Sequence, residues 1–262
     1  MGLRTLAVVL ALASPVAFVQ GRQQPGGGFA EPGGAPTPGL TAWAVLGLRA
    51  VRADTGAAHA YLVAHEGELA SATDVELVAI AEELTGGATP ALAARVRAAA
   101  AAPRTLNAAM WGILALRQLG EPAPRAALRL LLANQARSGG WSWNAGSSPD
   151  SNDTAAALEA LKAAGAGGAP LARGLAYLRR RETRGGGFEL SPGRGADAQS
   201  TAWAIQAFRS AGLTPPGAAL RYLARLRRPD GSYRYSARYA VTPVWVTAQV
   251  LASTRPLPLS AN

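Results

Sequence analysis

Along this chain, apolar and polar positions fall into helix-length blocks of two kinds. One kind is almost uniformly apolar: Thr41–Leu48, Thr154–Leu161, Thr201–Phe208 and Pro243–Leu251, with Thr73–Leu84 and Leu106–Leu119 as more degenerate copies. The other places arginines between apolar residues, as in Arg173-Gly-Leu-Ala-Tyr-Leu-Arg-Arg-Arg181, and recurs near 15–24, 57–64, 90–101, 124–135, 170–181 and 216–227. A helix packed on both sides must be apolar all round, whereas a helix with one wet face keeps its charges on that face. The pattern therefore predicts six inner and six outer helices, with no strand alternation except briefly at Ser232–Tyr239.

The blocks are joined by a repeated grammar. Glycine-containing turns ending in an aromatic, Gln24–Phe29, Gln135–Trp141, Arg184–Phe188 and Pro229–Tyr233, each precede an apolar block. Thr154 and Thr201 lie 47 residues apart, about the length of two helices with their connections. Each unit is a helical hairpin, and stacking six of them predicts an all-α fold, a single α/α toroid whose closure buries the end faces of an open array. Several outer blocks open on proline, which suits a first helical turn.

Composition changes this picture little. With 262 residues and 49% apolar content, the chain can bury a large core. Its net charge is +10, but all basic residues except Lys162 are arginines, and the densest run, Arg179–Arg184, contains Glu182 and sits at a helix end, without the clustered basic face and aromatic module of a nucleic-acid binder. The absence of cysteine excludes disulfides, thiolate metal sites and cysteine nucleophiles. Two histidines, His59 and His65, share one outer region and support neither a metal site nor a Ser-His-Asp triad. No cofactor is called for, and the glycine turns lack the Lys-Ser/Thr of a phosphate loop.

The N-terminus carries Arg4, an apolar stretch from Leu6 to Leu12 and Ala11-Leu12-Ala13, the layout of a signal peptide over 1–13 and hence of a secreted or extracytoplasmic protein. No stretch is long enough to span a membrane. The expected organisation is a signal peptide at 1–13, the toroid at 14–255 and a C-terminal tail at 256–262.

The repeats resemble those of the squalene-hopene cyclase and prenyltransferase superfamily, in particular its small exported bacterial members. Leu131, Gln135, Gly139 and Trp141 match the cyclases' QW motif, and Arg173, Gly174, Tyr177, Gly186 and Phe188 match it again with Arg181 where Gln belongs. The likeness spans about residues 15–255. Asp150-Ser-Asn-Asp-Thr-Ala155 resembles the Asp-x-Asp-Asp-Thr-Ala motif of class II terpene cyclases, in which the third residue protonates an alkene or epoxide. Here that residue is Asn152, and an amide cannot supply that proton. Asp153 or Asp150 would have to act as the acid, and a helix-capping role for Asp153 would hold it ionised. The zinc ligands of prenyltransferases and the thioester segment of related toroids are absent.

With Asn152 in the acid's place, the resemblance thus implies an exported, non-catalytic toroid that binds a hydrophobic ligand, such as an isoprenoid, or a protein partner at its mouth. The alternative is a class II cyclase, and a third reading is a structural surface module. Paired Asp150 and Asp153 would also suit glycan cleavage, although the repeats follow the cyclase grammar. The candidate catalytic residues are Asp150 and Asp153. Candidate ligand-binding residues are Trp141 and Trp143 in the glycine-rich loop, Asn152, Asp153, Asp197 and Gln199 as a polar rim, and Trp43, Trp203 and Trp245 at the third position of their blocks, with Trp111 near the same place. A shared repeat position equally suits core packing.

Overall fold

The computed structural model describes residues 13–257; the expected signal peptide, all but Ala13, lies outside the described residues. Among the described residues, twelve α-helices form two concentric rings. The inner ring comprises α2 (Pro38–Ala50), α4 (Ala72–Thr85), α6 (Leu106–Gln118), α8 (Ser151–Ala163), α10 (Ala198–Ser210) and α12 (Pro243–Ala252). The outer ring comprises α1 (Pro15–Gln20), α3 (Ala58–Ala64), α5 (Pro90–Ala101), α7 (Arg125–Ala133), α9 (Ala169–Arg179) and α11 (Gly217–Leu226). Each inner helix packs on the next, and α12 packs on α2, so the ring is closed. No helix among the described residues is long and apolar enough to cross a membrane.

The repeated threonines explain how one hairpin fixes the next, and they correct the expected helix starts. Thr41, Thr154 and Thr201 do not open their helices but sit one turn inside them. Each hydroxyl accepts the backbone N–H of the aromatic that ends the preceding glycine turn: Phe29 to Thr41 at 2.9 Å, Trp141 to Thr154 at 3.0 Å and Phe188 to Thr201 at 2.9 Å. Tyr233 donates in the same way to Thr247 at 2.9 Å. A buried N–H that would otherwise lack a partner is thereby satisfied in each of the four repeats with a glycine turn. The turn itself requires glycine: at Gly139 (φ +93°) a Cβ would stand 2.5 Å from the Arg173 carbonyl oxygen. Within Ser232–Tyr239, Tyr233 forms an isolated bridge with Arg227 instead of a strand.

This bond also resets the register of the last repeat. Thr247, not Pro243, is the counterpart of Thr41 and Thr201, so Trp245 lies before that threonine while Trp43 and Trp203 lie after it. The residue of α12 equivalent to those two tryptophans is Gln249.

Candidate functional site

All six inner helices start at the same end of the ring, and each turns two residues four apart toward the axis, as 3.6 residues per turn requires. Nearest the mouth the set is Gly39, Thr73, Asn107, Asn152, Gln199 and Trp245. One turn deeper it is Trp43, Leu77, Trp111, Ala156, Trp203 and Gln249. All but Gly39 line one cavity of about 290 Å³, joined at its rim by Trp143, Asp150, Asp153 and Leu190.

The deeper layer alternates large and small side chains. Trp43, Trp111 and Trp203, from every second helix, meet edge to face with centroids 5.6–5.9 Å apart and interplanar angles of 79–86°. Edge-to-face contacts set the electropositive edge of one ring against the electron-rich face of the next. These rings fill the axis and turn the channel into a cup with a tryptophan floor. Ala156, the smallest residue of the deeper layer, lines the cup beside them.

Its wall on the α6–α8 side is polar. Asp150 is the N-cap of α8 and accepts the Asp153 backbone N–H at 2.9 Å, so the capping role expected of Asp153 belongs to Asp150. Asp153 instead turns its carboxyl into the cup, where Asn107 Nδ2 lies 3.5 Å from Oδ1. The Thr73 hydroxyl orients that amide by donating to Asn107 Oδ1 at 2.6 Å. Burial, reinforced by the neighbouring Asp150 charge and an Asp150 hydrogen bond, pushes the Asp153 pKa well above the carboxylate range, and Asn107 only partly opposes this. Asp153 therefore favours its neutral form and can donate a hydrogen bond. Across the cup, buried Gln249 has an Oε1 with no hydrogen-bond partner among the described residues.

Sequence expectations divide clearly against this geometry. The cup brings together Trp43, Trp143, Asp150, Asn152, Asp153, Gln199, Trp203 and Trp245. Trp141 is not in it: it is fully buried, and its indole Nε1 donates to the Leu131 carbonyl at 2.8 Å, so its residue type serves packing between α7 and the turn. Of the Trp141–Trp143 pair, only Trp143 is exposed, at 50%; its carbonyl accepts the Asn107 backbone N–H, fixing the loop over α6. Asp197 caps α10 and borders a different cavity. Asn107, Thr73 and Gln249 were missed. The four-residue spacing from Trp111 and Leu77 is the signal that finds the first two.

Two open depressions adjoin the cup. One of about 570 Å³ runs from Thr73 and Trp143 along Ala98, Ala99, Ala102 and Pro103. The other, of about 400 Å³, lies by Gly39, Trp43 and Trp245. Among the described residues, no group of three or more His, Cys, Asp or Glu side chains is placed to hold a metal ion. His59 and His65 bond to Thr85 and to the Tyr61 carbonyl, away from the cup.

No protein-family model matches the sequence, and no curated protein matches it. Solved structures do. The type II terpene cyclase MstE from Scytonema superposes with a TM-score of 0.70 at 17% identity, over 92% of this chain and 94% of that one. A protein from Actinoplanes gives 0.60 at 18% identity over 92% and 96%. A glycosidase gives 0.59 at 14% identity over 91% and 94%. At these identities the likeness establishes the fold, the all-α toroid of terpenoid cyclases, and leaves the chemistry to the residues of the cup.

Proposed function

From the toroid fold it shares with type II terpene cyclases, we propose that this chain binds one end of a small, largely apolar ligand in the mouth cup, without turning it over. The observation that carries the reading is a buried carboxyl, Asp153, facing a cavity walled by tryptophans. A neutral carboxyl and Asn107 offer donors, and the indole faces the apolar contact. At about 290 Å³ the cup sits at the lower end of the roughly 300–1,000 Å³ typical of small-molecule sites. It suits the hydroxylated or ring end of an isoprenoid, with the remainder lying in an adjoining depression. A variant of the Scytonema cyclase was solved with geranylgeranyl dihydroxybenzoate, which supports that class. Export remains part of the proposal, and the N-terminal sequence of the mature protein tests it.

One observation favours a second reading. A neutral acid beside indole faces, which stabilise cations, is arranged to protonate an alkene: the proton goes to one alkene carbon, its π pair forms the new C–H bond, and the neighbouring carbon becomes cationic. Loss of a proton from the product cation and reprotonation of Asp153 by solvent would close the cycle. Asn152, standing where the cyclase motif has its acid, weighs against it. Titration of tryptophan fluorescence with farnesol and geranylgeraniol, followed by product analysis, separates the readings. Saturable quenching with recovered, unchanged alcohol supports binding. A cyclised product lost in Asp153→Asn supports the second reading, and no quenching leaves the toroid as a structural module.

A further inference from the structure

A second cavity, of about 570 Å³, opens between residues 193–197, which lead into α10, and residues 235–239. It shares no lining residue with the cup. Its far wall is a turn held from beneath. Arg234 donates Nε to the Ser236 carbonyl and Nη2 to the Ala237 carbonyl, each at 3.2 Å. The Ser236 hydroxyl accepts the backbone N–H groups of Arg238 and Tyr239 at 3.3 and 3.2 Å. Arg238 and the 59%-exposed Tyr239 are thus displayed on a preformed loop, at little ordering cost on binding.

Opposite stands Arg194, close to Tyr235 and with its charge acting on the Asp197 carboxyl. The one carboxylate of the cavity is committed: Asp197, 3% exposed, accepts the Ser200 N–H at 2.7 Å and the Ser200 hydroxyl at 3.0 Å. Neither Arg194 nor Arg238 takes part in the salt bridges formed among the described residues. Two guanidinium groups outside any of these salt bridges, on either side of a cavity, match an oxyanion, which a planar fork grips in two places. The volume exceeds that of a bare anion, and Tyr239 offers a flat face beside it.

We infer that this cavity binds an oxyanion carried on a flat ring, the anion held between Arg194 and Arg238 and the ring against Tyr239. Isothermal titration with phenyl phosphate, benzoate and inorganic phosphate at moderate salt tests it on the full chain. Phenyl phosphate or benzoate should bind at least about tenfold more tightly than inorganic phosphate, the preferred one naming the oxyanion. Arg194→Gln and Arg238→Gln should each lose about tenfold, and Tyr239→Ala should lose ring-bearing ligands while leaving inorganic phosphate unchanged. Arg129→Gln, on exposed α7, should have no effect, and farnesol quenching by the cup should survive in all four variants. Equal loss in Arg129→Gln, or equal affinity for phosphate with and without its ring, would overturn the proposal, because attraction to a chain of net charge +10 would then explain the binding.

Discussion

Asp153 and Glu76 are both carboxyls buried in the inner ring, and burial is the first cause that drives both pKa values upward. Their surroundings differ. Asp153 borders the cup and faces Asn107 across it. Glu76 in α4 is fully buried with no hydrogen-bond partner for either oxygen among the described residues, pressed so close to α6 that a Cβ on Gly112 would lie 2.9 Å from Oε1, and its pKa rises to about 9. Glu159 in α8 behaves similarly, rising to about 8 although it accepts the Leu257 N–H. A raised pKa therefore marks burial at all three positions, and only contact with a cavity makes one of them a candidate site.

The largest effect expected from this contrast is at the cup itself. Ala156→Trp fills the space over the tryptophan floor and should weaken farnesol quenching by more than about 100-fold, roughly 3 kcal/mol, with the helical circular dichroism retained. A variant that still binds normally would place the ligand elsewhere.

Next comes the pH dependence of stability. A carboxyl whose folded pKa lies above its unfolded one keeps its proton in the folded state, so stability falls as pH rises from the unfolded value, 4.5, toward about 9 for Glu76. Between about pH 5 and 8, urea melts of the parent should lose roughly 2–4 kcal/mol relative to Glu76→Gln, while the variant binds farnesol as the parent does. Parallel pH profiles would show that Glu76 does not carry the penalty.

Trp143→Ala should have the smallest effect. Half-exposed at the rim, this indole contributes one face to the ligand, and its loss should weaken binding about three- to tenfold without changing the melting temperature. A drop in stability would show that the ring is packing after all.

The two helix classes, and from them the toroid, were legible because apolar blocks and arginine-studded blocks differ over whole helices. Finer placement failed where local likeness misled. Pro243-Val-Trp245 mimics Thr41-Ala-Trp43, and only the hydrogen bond from Tyr233 to Thr247 shows that Gln249 holds the equivalent place. Asp153 looked like a cap because it stands near the start of α8, but Asp150 provides the side-chain acceptor and frees Asp153 to face the axis. The tryptophan floor depends on six helices converging, and no single helix encodes that. Asn107 and Thr73 lie in units without a glycine turn, so the repeat grammar passed over them.

The most direct test of the account is farnesol affinity measured by tryptophan quenching from about pH 5 to 9 in the parent and in Asp153→Asn. A neutral Asp153 that donates to the ligand predicts constant affinity at low pH and a fall as the carboxyl ionises. The asparagine variant, which cannot ionise, should bind without that fall. Identical pH profiles for the two proteins would contradict the assignment of Asp153 as the neutral donor of the cup.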